Sequence, residues 1–192
     1  MFLESLNLHS FLRSALDCAY WDLYGKLENK TFAELNNINK SKLPDSSFTI
    51  SIAPIEEQLL KIENSNWQKF KVKCNGLDHE NIYKLLDSKK EIALDSNGSF
   101  TDEDCVFLQN NEATKNFLYL EQPRPIGEFS ILNKSKFANW MADEDCQDIS
   151  YLEKLQPHYS VINIKLMKCG GITPALELIS EARKYNYKIM IG

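Results

Sequence analysis

The sequence predicts an α/β fold, a (β/α) barrel of about seven strands and therefore short of closure, and three observations predict it. Short apolar runs recur seven times along the 192 residues. Amphipathic stretches with apolar residues near i, i+3, i+4 and i+7 separate them, so strands alternate with helices and pair in parallel. Five of the runs carry a charged residue at or one position before their end, and these five, Lys73, Asp95, Glu121, Asp143 and Lys165, are spaced by 22, 26, 22 and 22 positions.

The elements follow in order within a single domain, 1–192, whose first 47 residues form a leading helix and loop. The helix, about residues 10–27 (SFLRSALDCAYWDLYGKL), places Phe11, Ala15, Ala19 and Leu23 on one side with Leu12 and Leu16 alongside, a face expected to pack on the barrel. The polar stretch NNINKSKLPDSS (36–47) leads into the first strand. The runs themselves are FTISIA (48–53), FKVKC (70–74), EIALD (91–95), FLYLE (117–121), NWMAD (139–143), VINIK (161–165) and YKIMIG (187–192). In FKVKC the alternation sends Lys71 and Lys73 to one face and Phe70, Val72 and Cys74 to the other. Segments such as IEEQLLKIENS, ENIYKLLDSKK and PALELISEARKYN supply the helices, and Asn-Gly, Pro and Gly mark the turns.

A doubly wound open sheet fits the same alternation, but it spreads the five charged strand ends along a line. A TIM-type barrel gathers them in one layer at its mouth, where three carboxylates stand between two lysines. Ile92 and Leu94, or Ile162 and Ile164, then face the outer helices.

Composition narrows the function classes. A hydrophobic content of 43% with a net charge of −5 describes a chain that buries a core and repels nucleic acid and anionic membrane surfaces. No apolar run is long enough to span a bilayer, and MFLESLNLHSFLRSALD lacks the features of a secretory signal, so a cytoplasmic location is expected. The five cysteines (Cys18, Cys74, Cys105, Cys146, Cys169) form no C-x-x-C pair, which argues against a disulfide framework or zinc site. His9, His79 and His158 are too scattered to suggest a triad.

Taken singly, LDSNGSF (94–100) reads as a turn, LEQPRP (120–125) as a strand ending at a proline and MADEDCQD (141–148) as a solvated loop. Together they place three hard oxygen ligands, Asp95, Glu121 and Asp143, on successive strand ends. Carboxylates so gathered call for a divalent cation, Mg²⁺ with Mn²⁺ as the other option, and Asn97 is a neighbour behind the ligands. Lys165 has a rival in Lys168; strand parity points Lys165 inward with Asn163 and carries Lys168 past the strand end. Gly170 and Gly171 read as a turn.

With those residues in hand, the chain resembles the enolase superfamily, specifically its muconate lactonizing enzyme subgroup. The resemblance rests on ALDCAYWDLYGK (15–26), KVK (71–73), DSN (95–97), EQP (121–123), ADED (142–145) and INIKLMKCGGI (162–172). The last stretch is most similar to the dipeptide epimerases of the L-Ala-D/L-Glu type. The resemblance implies an enolase C-terminal domain-like barrel in which Asp95, Glu121 and Asp143 hold Mg²⁺. It also implies that Lys73 and Lys165 form an acid/base pair on opposite faces of a substrate's α-carbon, with Lys71 assisting Lys73. A small carboxylate is the implied substrate. A cycloisomerase, an N-acylamino acid racemase or an o-succinylbenzoate synthase would use the same groups.

Ser96, Phe100 and Asp145 stand where the family often has Ala, Trp and Ser, and none of these departures removes a ligand or base. By the family's pattern a separate N-terminal capping domain and an eighth strand are absent. A fragment with open sheet edges, poor activity alone, and a homo-oligomeric or complementing-chain partner is therefore expected, a catalytically inactive fragment acting by association being the alternative.

Overall fold

The computed structural model describes residues 2–134 and 137–192. Seven parallel strands form one curled sheet in the order β1 to β7: Phe48–Ile50, Lys69–Lys73, Glu91–Asp95, Leu120–Glu121, Trp140–Ala142, Val161–Ile164 and Lys188–Ile191. Six of them fall within the apolar runs, and β2 begins one residue ahead of its run, at Lys69. β4 and β5 are shorter than their runs, although Leu118 N–H still bonds the Ile92 carbonyl at 2.8 Å ahead of β4.

The helices are α1 (Phe2–Ser5), α2 (Ser10–Glu28), α3 (Phe32–Leu35), α4 (Ile55–Glu63), α5 (His79–Asp87), α6 (Asp102–Asn110), α7 (Leu152–Leu155), α8 (Leu166–Cys169) and α9 (Ile172–Lys184). Local chemistry starts several of them. Asp78 caps α5 by accepting from Glu80 N at 2.9 Å, and Thr101 and Asp104 close a reciprocal capping box on α6. Between sheet and helices lies the core. Phe70, Ile92, Leu94, Leu120, Trp140, Ile162 and Ile164 pack there against Ile62, Ile82, Leu85, Leu108, Leu155 and Leu178, all of them buried.

Two expectations are corrected. The first concerns the even layer of strand ends. Lys73, Asp95 and Glu121 do lie level in the ladder, but Glu121 faces Met141 and Met141 faces Val161. Asp143 is thus two residues, and Lys165 four, beyond the level of Lys73. Strands in a barrel tilt, and a shear of about eight over eight strands shifts equal heights by about one residue per strand. β6 is four strand steps on from β2, so an offset of four residues is the one that tilt of this size compensates.

The second concerns α2, which packs on α8 and α9 through the opposite face from the one expected. Ser14 and Asp17 are buried, whereas Phe11, Leu12, Leu16 and Leu23 are 42–55% exposed. Polar anchoring explains the inversion. Asp17 Oδ2 accepts Thr173 N–H at 2.9 Å at the start of α9, where the helix dipole favours a carboxylate, and Trp21 Nε1 donates to Thr173 Oγ1 at 2.9 Å. A Cβ on Gly171 would meet the Asp17 side chain at 2.5–2.8 Å, so only glycine admits this approach.

Candidate active site

The sheet face turned away from the helices carries the charged residues. From β2, Lys71 Nζ lies 3.2 and 3.3 Å from the two Glu121 oxygens and 3.4 Å from Asp95 Oδ2. Lys73 Nζ donates to Asp95 Oδ2 at 2.9 Å and to Asn97 Oδ1 at 2.7 Å. Asn97 also donates its backbone N–H to Asp95 Oδ1 at 3.2 Å, so it bonds to Lys73 and Asp95 together.

On the other flank Lys165 donates to Asp143 Oδ2, and Lys168 donates to Asp143 Oδ1 at 2.7 Å, to the Asp143 carbonyl and to the Asn163 carbonyl at 3.2 Å. Asn163 Nδ2 donates to Glu121 Oε1 at 2.9 Å and so joins β6 to the central carboxylate. Asp95, Glu121 and Asp143 are each 1% exposed.

Burial first, then the charge of Asp95, pushes Glu121 up to about 7 in spite of Lys71. Burial also works against Asp143, but hydrogen bonds from Lys165 and Lys168 outweigh it and hold the group below the usual carboxylate range. For Lys71 burial pulls downward, and the charges of Glu121 and Asp95 reverse this to a net rise. Lys165 behaves alike, its bond to Asp143 overcoming burial.

The donor set fits a hard divalent cation. Its oxygens are carboxylates gathered at one place, and among the described residues Asn163 Oδ1 is a buried acceptor with no protein partner. In this arrangement lysine ammonium groups occupy the carboxylate oxygens, and among the described residues no three His, Cys, Asp or Glu side chains enclose one point. Lys73 and Lys165, with side chains 33% and 31% exposed, have room to swing away.

All the sequence-predicted site residues meet on this face: Lys71, Lys73, Asp95, Asn97, Glu121, Asp143 and Lys165. Lys168, past the strand end as expected, joins them as well. Lys165 caps the short helix α8, so a residue three further on returns to the same side, and that spacing was the available signal. Gln122 was also missed, and nothing in an EQP triplet distinguishes its role.

Residues 55–192 match the family model described as Enolase C-terminal domain-like. The chain belongs to this family. An L-Ala-D/L-amino acid epimerase of Maribacter sp. is 32% identical to the enolase-family chain over 198 residues, a match covering 100% of this chain and 58% of the relative. A solved L-Ala-D/L-Glu epimerase superposes with a TM-score of 0.86 at 28% identity, over 99% of this chain and 62% of that one. A dipeptide epimerase from Methylococcus capsulatus, complexed with Mg and the dipeptide L-Arg-D-Lys, gives 0.85 at 28% identity over 98% and 57%. The enolase-family chain thus spans less than two thirds of these relatives' length.

Proposed function

We propose that this site moves a proton at the carbon beside a carboxylate, removing it from one face and returning one to the other, and that the substrate is a dipeptide epimerised at its C-terminal residue. The observation that carries the reading is the placing of Lys73 and Lys165, four strands apart with three buried carboxylates between them. The dipeptide bound to the Methylococcus relative supports the substrate class.

Asp95, Glu121 and Asp143 would hold Mg²⁺. Its charge, when bound, stabilises the negative charge that develops on the substrate carboxylate as the α-proton leaves. Lys73, released from Asp95 and neutral, takes the proton with its Nζ lone pair, and the C–H electrons move into the carboxylate system. Lys165 gives a proton from its ammonium to the opposite face of the same carbon. One lysine gains the proton that the other loses, and the stereocentre inverts. Lys71, held between Glu121 and Asp95, remains an ammonium that offsets carboxylate charge beside Lys73.

Solvent exchange tests this. With Mg²⁺ and a panel of L,L-dipeptides in D₂O, mass spectrometry should find deuterium at the α-carbon, and Lys73→Ala and Lys165→Ala should each abolish epimerisation. The measurement is made on this chain and on a form extended to its relatives' length. Failure of both to exchange any carboxylic acid in a metal-dependent way overturns the reading.

A further inference from the structure

Gln122 follows Glu121 directly and is 1% exposed. Its backbone is left-handed, with φ 37°, a conformation that costs a non-glycine residue energy and persists only where surrounding contacts enforce it. Those contacts are extensive. Oε1 accepts the backbone N–H of Asp143 at 3.0 Å and of Asp145 at 3.2 Å. Nε2 donates to the Arg124 carbonyl and to Asp145 Oδ2, both at 2.9 Å. The amide therefore uses its full bonding capacity.

Asp145, the departure from the family's usual Ser, completes the brace. It is 3% exposed, and it accepts Gly127 N–H on Oδ1 at 2.8 Å and the Tyr159 hydroxyl on Oδ2 at 2.7 Å. The Gln122 carbonyl accepts from Gly98 N at 2.7 Å and Ser96 Oγ at 2.8 Å. One residue thus connects the ends of β3, β4 and β5.

The location of Asp143 gives the brace its significance. β5 ends at Ala142, so the ladder no longer directs Asp143, and its N–H is held by the Gln122 side chain. Glu121, by contrast, lies within β4 and immediately precedes Gln122. We infer that Gln122 is a positioning residue that fixes the Asp143 carboxylate relative to Glu121, at the separation from which both reach one divalent cation. The inference rests on the metal reading above, and it names Asp145 as the group that locks the Gln122 amide in orientation.

Mn²⁺ is the probe, and its affinity is measured by calorimetry and electron paramagnetic resonance without substrate. Substituting residues behind a metal's ligands typically weakens affinity about 10- to 100-fold. Gln122→Met, close in size but without the amide, should show such a loss while remaining folded by circular dichroism. Gln122→Glu keeps the acceptor for the two N–H groups but sets a carboxylate against Asp145, and should also weaken binding. Adding Asp145→Asn to Gln122→Glu restores a donor between the two side chains and should recover much of the affinity, a rescue that a purely structural role would not produce in Mn²⁺ binding. Unchanged Mn²⁺ affinity in folded Gln122→Met, or in Gln122→Glu if the first does not fold, overturns the inference alone. A wild-type chain that binds no Mn²⁺ overturns the metal reading and the inference together, and it does so before any substitution is made.

Discussion

Cys105 is fully buried on α6, and burial pushes its thiol up to about 12 from an ordinary value near 9, with Arg124 opposing and Asp104 adding to the rise. The folded value lies above the unfolded one, so the thiol's contribution to stability is complete below about pH 9 and is lost as pH rises toward 12. Urea midpoints measured from pH 8 to 11 should therefore fall more steeply in the wild type than in Cys105→Ala. At the same scale, the site was legible where strand parity applies. Lys71, Lys73, Asp95, Glu121 and Asp143 all lie on or just past strands whose other face is apolar, and alternation alone separates the two faces. Lys168 was not legible by that rule, because α8 follows the strand and replaces a period of two by one near 3.6. Gln122 was hidden for another reason: its Oε1 accepts from backbone groups of Asp143 and Asp145, more than twenty residues away in sequence.

Among the elements, α2 separates what a sequence states from what it leaves open. Apolar periodicity identifies a face that avoids water without identifying what covers it. Here the tertiary contact is made by Asp17 and Trp21, whose bonds to Thr173 lie more than 150 residues away in sequence. Two substitutions test this arrangement by urea denaturation. Leu23→Lys, at a position 55% exposed, should change stability by no more than about 0.5 kcal/mol. Gly171→Ala places a methyl against Asp17 at a φ of 125° and should cost at least about 1–3 kcal/mol. The strands were legible because inward charges alternate with residues such as Phe70 and Val72. Their stagger was not, since equal sequence spacing says nothing of the tilt that offsets Asp143 and Lys165.

Over the whole molecule, the sheet runs from β1 to β7 with each of these two strands paired on one side. Ile191 on β7 is 56% exposed and Phe48 on β1 43%, so among the described residues apolar side chains accompany unpaired backbone groups at both edges. Ile191→Lys should reduce concentration-dependent association seen by sedimentation velocity; equal association in variant and wild type would remove the β7 edge as its cause. The contact between Asp17 and Thr173 has a consequence in time as well as space. The two residues are 156 positions apart, and chains are made at about 5–20 residues per second, so the α2 anchor follows its helix by roughly 10–30 s. Throughout that interval Asp17 and Trp21 of α2 lack their partner Thr173. Docking of α2 through these bonds accordingly waits until α9 has begun to form.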